Sequence, residues 1–91
     1  MLRQFNPEKG SMDIQGHHMV YEMVRSKEPS VFGIEQSRIF ELNLWRDGTL
    51  TADYNRKWLK APYPEDDASH MAIQTLIKDY GQVKQKKRKK G

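Results

Sequence analysis

Between His17 and Arg25 the chain reads HHMVYEMVR. Met19, Tyr21 and Met23 fall on one side of an extended backbone, and His18, Val20, Glu22 and Val24 fall on the other. The run is dense in strand formers and predicts a β-strand. A clearer pattern follows at Arg38–Trp58. RIFELNLW alternates, RDG turns, and TLTADYNRKW alternates again, which predicts a hairpin. Two registers compete. A two-residue Asp47-Gly48 turn sets Leu44 against Thr51 and Leu42 against Asp53, apolar against polar. A three-residue Arg46-Asp47-Gly48 loop, with Gly48 as a left-handed bulge, sets Leu44 against Leu50, Leu42 against Ala52 and Phe40 against Tyr54. The bulged register is expected, because every inner pair agrees and a one-residue slip would turn the apolar set to water. Glu41 then faces Asp53, a like-charge pair that argues against it. Trp58 shares the parity of Leu50, Ala52 and Tyr54.

Between these strands lies Ser26–Ser37, punctuated by Pro29 and Gly33 and so read as a long connection. Val31, Phe32 and Ile34 are expected to tuck against the sheet; exposure as a partner-binding patch is the alternative. Beyond Trp58, Pro62 and Pro64 end the strand. Glu65, Asp66 and Asp67 then suit the positive end of a helix, with Pro64 at its first position. Ile73, Leu76, Ile77 and Tyr80 form one apolar stripe that Ala68 and Ala72 extend, and Gly81 fits just past the end. The helix is predicted over residues 64–80.

The resulting fold class is α+β: a three-stranded antiparallel sheet, in the order β-β-β-α, covered on one face by a C-terminal amphipathic helix. The other face, with Trp45, Val20 and Val24, is then open for self-association or a protein partner. Residues 1–12 have no hydrophobic period and are read as a flexible N-terminal segment. Its Gly10-Ser11-Met12 fits a cloning junction before a start methionine as well as an ordinary natural turn. Residues 13–83 form the single domain, and 84–91 a basic, disordered tail.

Charge sharpens this division. The formal net charge is +4, but residues 84–91 carry six bases (Lys84, Lys86, Lys87, Arg88, Lys89 and Lys90) and no acid. Without them ten bases stand against twelve acids, so the body is mildly acidic and lacks the basic face of a typical nucleic-acid-binding fold. The tail is either a self-repelling solubiliser or a salt-sensitive, sequence-independent contact for a polyanion. Ninety-one residues allow one small domain. The absence of cysteine excludes disulfides, Cys-ligated zinc and Cys nucleophiles. The mean hydropathy is −0.92, and no apolar run approaches the roughly 18 residues of a membrane span. An intracellular, cytoplasmic protein without membrane contact is expected.

The stretch from Ser30 to Pro62 carries Ser30, Phe32, Gly33, Ile34, Arg38, Ile39, Leu42, Tyr54, Asn55, Arg56, Trp58 and Pro62. It resembles a family of small uncharacterised bacterial and phage proteins, a domain of unknown function. The family pattern runs Ser-x-Phe-Gly-Ile, Arg-Ile-x-x-Leu, then Tyr-Asp/Asn-Arg-x-Trp and a proline. Ser37 stands where glycine is expected and Asn55 where an acid is. The resemblance covers about a third of the chain and implies a prokaryotic or phage setting, with no catalytic residue to carry over.

Arg38, Tyr54, Arg56 and Trp58 are the most suggestive side chains. In the expected register the two arginines face each other beside two aromatic rings, an arrangement suited to a phosphate, a nucleotide or an acidic partner. The plainer reading has Arg56 packing on Trp58 or bonding Glu35 or Asp53 at the sheet end. His17 and His18 point to opposite faces, so they cannot chelate one metal together, and convergence of His18, His70 and Asp66 would be chance. No metal or cofactor is expected. Gly16-His17-His18 before a strand resembles the catalytic segment of small toxin ribonucleases with a double-stranded-RNA-binding-like fold, but those open with a helix before that strand. Met12, Met19, Met23 and Met71 are read as core fillers, with an adaptable binding surface as the alternative. The chain is therefore expected to be a non-enzymatic binding or accessory protein acting through protein–protein contact. A nucleic-acid-associated protein using the basic tail is the alternative, and a toxin-like ribonuclease comes last.

Overall fold

A computed structural model describes residues 7–82. Five antiparallel strands form one sheet in chain order: β1 (Glu8–Ile14), β2 (His17–Arg25), β3 (Ile39–Arg46), β4 (Thr49–Asn55) and β5 (Trp58–Lys60). One helix, α1 (Asp67–Tyr80), packs on β1, β2 and β3. The α+β class and the single C-terminal helix are as expected, but the sheet has two more strands than the three predicted.

Both additions have local causes. In β1, Glu8, Gly10, Met12 and Ile14 point to the helix side, and Lys9, Ser11 and Asp13 point away. Residues 8–12 of the expected flexible segment 1–12 are thus strand, and residues 1–6 lie outside the described residues. Gly10 lies beneath the Tyr21 ring, where a Cβ would sit 3.0 Å from Cε2 and closer still to the phenol end. Glu8 is inward-facing but paired: Arg25 donates to its carboxylate through Nε (2.6 Å) and Nη2 (2.8 Å). Gln15 and Gly16, both at positive φ, form the two-residue turn into β2. At the other edge, Arg56 has φ 62°, and the chain folds back there instead of running on to Trp58. The Asn55 N–H donates to the Lys57 carbonyl at 2.9 Å, and Trp58 pairs with Tyr54.

The β3–β4 hairpin follows neither expected register. Asp47 (φ 50°) and Gly48 (φ 88°) form a two-residue turn that pairs Arg46 with Thr49 and Trp45 with Leu50. Thr51 is then the extra residue of a bulge, after which Leu44 pairs with Ala52 and Leu42 with Tyr54. The bulge thus lies inside β4 rather than in the loop. Thr51 turns its hydroxyl inward, where it bonds Ser69 Oγ at 2.8 Å. Leu50 moves to the far face beside Trp45. Glu41 faces Asn55, and Asp53 accepts a bond from Asn43 Nδ2 at 3.1 Å, so the like-charge pair never forms.

The core lies between α1 and the sheet. Met19, Met23, Leu42, Leu44 and Ala52 meet Ala68, Ala72, Ile73, Leu76 and Ile77. Met19 and Met23 are core residues as expected, and Met12 packs against that core, whereas Met71 is exposed. Burying each large apolar side chain contributes about 1.5–3 kcal/mol. The helix starts later than predicted, because Asp66 is its cap, accepting from the Ser69 N–H at 3.1 Å. Gly81 follows α1 with right-handed φ −85°. Its glycine answers to space instead: a Cβ would stand 3.0 Å from Ser37 Cβ. No helix among the described residues is long and apolar enough to cross a membrane.

Candidate functional site

The helix packs mainly on β1–β3 and reaches the start of β4 through Ser69 and Thr51. Tyr54 organises the β4–β5 side. Its ring is buried, meets the Trp58 ring edge-on with centroids 4.9 Å apart, and donates its hydroxyl to the Phe32 carbonyl at 2.9 Å. Burial pushes the Tyr54 phenol above its usual range. Tyr54 therefore holds Phe32 and Trp58 on one flank. Only Ile34 of the 26–37 connection enters the core. Val31 and Phe32, expected to tuck in, are 75% and 56% exposed. Trp58 (41%) and Leu59 (57%), on opposite faces of β5, and Tyr63 (68%) beyond it are also exposed.

Cations rim these side chains. Arg56, Lys57 and Lys60 are all exposed, and Lys60 Nζ lies 5.8 Å from the Tyr63 ring centre. Beside them a cleft of about 290 Å³ opens between the start of β4 and the chain from Lys60 to Asp66. Arg46 Nη1 meets Asp66 Oδ1 in this cleft at 2.8 Å. Burial pushes the Asp66 carboxyl up, but bonds from Ser69 and the Arg46 charge outweigh it and hold the group below the usual carboxylate range. Within the cleft lining Arg46 and Asp66 pair with each other, whereas Lys60 stands beside the Tyr63 ring.

The arginine pair read from the sequence does not form across the hairpin. Arg38 lies before β3, and its Nε donates to the Ser26 carbonyl at 2.8 Å while its N–H donates to the Gly81 carbonyl at 2.7 Å. It ties the strand entry to the end of α1. Arg56 instead lies beside Phe40: its N–H donates to the Phe40 carbonyl at 2.8 Å, and its guanidinium stands 5.8 Å from that ring centre. The two-residue displacement of the register explains the loss, because Phe40 takes the place expected for Arg38. Trp45 is half-buried on the face away from α1, between Val20 and Leu50. Lys84, Lys86, Lys87, Arg88, Lys89 and Lys90 lie outside the described residues.

Residues 6–81 match the protein family described as a domain of unknown function, DUF7678. The chain belongs to this family. No curated protein and no solved structure matches it. The DUF7678 region includes every strand and the helix, so both edges of the sheet lie within it.

The histidines of this DUF7678 chain lie apart, each with its own partner. His17 Nδ1 is 2.6 Å from Asp47 Oδ2, and His18 Nδ1 is 3.1 Å from Asp13 Oδ1. His70 Nε2 is 3.0 Å from the Tyr63 carbonyl. The His17 side-chain bond, with the His18 N–H at 2.9 Å, holds the Asp47 carboxyl below its usual range. Asp47 also donates its own N–H to the His18 carbonyl at 2.8 Å, so the β3–β4 turn clasps the start of β2. No group of three or more His, Cys, Asp or Glu among the described residues is arranged to hold a metal ion.

Sequence reasoning singled out Trp58 but missed its neighbours. The run Lys57-Trp58-Leu59-Lys60-Ala61-Pro62-Tyr63 carried a signal, two cations flanking an apolar pair, with an aromatic residue and a proline close behind. Val31 and Phe32 carried a contrary one, since an apolar pair in a connection ordinarily marks a buried tuck.

Proposed function

We propose that this protein is a small, non-enzymatic binding protein of bacterial or phage origin that acts through protein–protein contact on the β5 flank. The observation that carries this reading is the exposure of Phe32 and Trp58, both held by Tyr54, with Val31, Leu59 and Tyr63 exposed nearby in sequence and Lys60 beside the Tyr63 ring. Large apolar side chains gathered on one surface mark interaction sites, and aromatic anchors dominate binding energy. The cationic rim selects a partner whose contacting surface is apolar at its centre and acidic around it. Arg38 and Tyr54 act in this reading as supports: Tyr54 positions Phe32 and Trp58, and Arg38 fixes the root of the connection.

The test is a fluorescence titration of the Trp45→Phe variant, in which Trp58 is the sole tryptophan. The probes are extended peptides with aliphatic or aromatic anchors and acidic, neutral or basic flanks. Acidic peptides should bind and shift Trp58 emission, and Phe32→Ser should weaken binding at least tenfold. Equal binding of all charge classes, or no change with Phe32→Ser, would reject the reading.

Cations beside exposed rings also suit single-stranded nucleic acid, on which bases stack. That second reading predicts binding that falls steeply with salt. Comparing the full chain with residues 1–83 separates a contribution of the flank from one of Lys84–Lys90. The ribonuclease reading has least support, because the strand β1, rather than a helix, precedes the histidine strand. Loss of RNA cleavage on replacing His17 would be its signature.

A further inference from the structure

We infer that β1 is the site at which a second copy of this chain docks, extending the sheet through an antiparallel β1–β1 pairing about a two-fold axis at Ser11. β1 pairs with β2 along all seven of its residues without a bulge, and among the described residues no strand lies on its other side. An open edge of this length is a template for another strand. β1 contains neither proline nor a bulge, its one inward charge, Glu8, is at the strand end and held by Arg25, and its outward charges, Lys9 and Asp13, are of opposite sign.

Charge and register point to a second copy rather than to an unrelated strand. Residues directly opposite in an antiparallel pair share a face, so self-pairing must match residues of the same parity. The register centred on Ser11 overlaps all seven residues, setting Glu8 opposite Ile14, Lys9 opposite Asp13 and Gly10 opposite Met12. It is the only self-pairing register that brings Lys9 onto Asp13, and the two-fold axis makes that pair occur twice. Full overlap and charge complementarity therefore select the same register. Both side chains are accessible on the face away from α1, Lys9 at 69% and Asp13 at 81%. Their partners at home, Glu22 at 3.9 Å and His18 at 3.1 Å, leave them free to bridge outward. On the helix side Gly10 opposite Met12 sets a small residue against a large one, and Met12 and Ile14 are only half-buried in one copy. The contact is isologous and closes at two copies.

Sedimentation velocity of the full chain over a concentration series tests this. A monomer–dimer equilibrium is expected. Lys9→Asp or Asp13→Lys sets two like-charge pairs in place of two opposite ones and should weaken dimerisation about ten- to thirty-fold. The double variant Lys9→Asp/Asp13→Lys restores both pairs and should recover the dimer. A monomer at every concentration, a dimer insensitive to the single changes, or a double variant no better than the singles would each overturn the proposal. Amide exchange of the unaltered chain gives a readout without substitution. Protection in β1 should rise with protein concentration, and constant protection would count against the pairing. This inference uses the β1 edge alone, so its failure would leave the β5 reading standing.

Discussion

β1 and β5 bound the same sheet, yet they expose different chemistry. β1 is seven residues long, regular, and lies on the side that α1 covers. β5 is three residues long, follows an irregular turn at Arg56, and lies at the edge farther from the strands on which α1 mainly packs. On β1 the outward signal is in the backbone and in one opposite-charge pair, Lys9 and Asp13. On β5 it is in large side chains, Phe32, Trp58 and Leu59, with cations around them. An edge of the first kind suits pairing by register, and an edge of the second kind suits an anchored contact. The difference traces to the cover. Where α1 supplies a core, apolar side chains turn inward and the strand rim is left polar. Where only the Ser26–Ser37 connection supplies cover, Ile34 fills the available space and its neighbours remain outside.

The largest effect should come from the shared core and weaken both edges together. Leu76 is fully buried between α1 and the sheet. Leu76→Ala leaves a cavity and should cost about 2–5 kcal/mol in urea unfolding. A smaller and one-sided effect is expected at Gly10. A side-chain carbon there runs into the Tyr21 ring, which is buried. Gly10→Ala should cost about 1–3 kcal/mol by overpacking. Amide exchange should quicken in β1 and stay unchanged in β5. Loss of protection at both edges would show that they are not independent.

Tyr54→Phe acts on the other side. It removes the bond to the Phe32 carbonyl and should cost about 0.5–1.5 kcal/mol. The ring contact with Trp58 is kept, so the change isolates Phe32 from Trp58. Limited proteolysis should then cut faster within residues 30–37, while β1 exchange holds. If cleavage there is unchanged, the tyrosine hydroxyl does not hold the apolar cluster together.

How much of this was legible in the sequence follows the same division. Most of β2, β3 from Phe40 to Leu44, β4 beyond its bulge and the apolar stripe of α1 obey a simple period because one of their faces is buried against another element. β1 does not, since two of its inward positions are Glu8 and Gly10, one neutralised by Arg25 and the other filled by Tyr21 from the next strand. Neither compensation is local, so no window of sequence contains it. The hairpin kept Leu42, Leu44, Ala52 and Tyr54 inward while their pairing moved by two residues and Leu50 turned outward, because the bulge at Thr51 is fixed by Ser69 far along the chain. That displacement separated Arg38 from Arg56 and removed the expected anion pair. Trp58 was legible as a candidate, but its setting was not, since the chain's reversal at Arg56 turns an expected strand end into a separate edge.

The smallest effect is one of pH, and it tests the clasp that joins the two halves of the sheet. Asp47 receives His17 Nδ1 and the His18 N–H, and these bonds hold its carboxyl below the unfolded value of about 3.9. A group whose pKa is depressed on folding contributes stability that is full above the unfolded pKa and is lost as pH falls through the folded one. The contribution should therefore be present at neutral pH and fade below about pH 4. The pair is exposed, so salt should reduce it. Asp66, held low by Ser69 and Arg46, adds an acid limb of the same sign. Asp47→Asn should flatten part of the acid limb and leave the Asp66 part in place. An unfolding curve against pH that this substitution leaves unaltered would mean that the backbone bond from residue 47 to His18 holds the turns together without the carboxylate. The clasp would then be geometric rather than electrostatic.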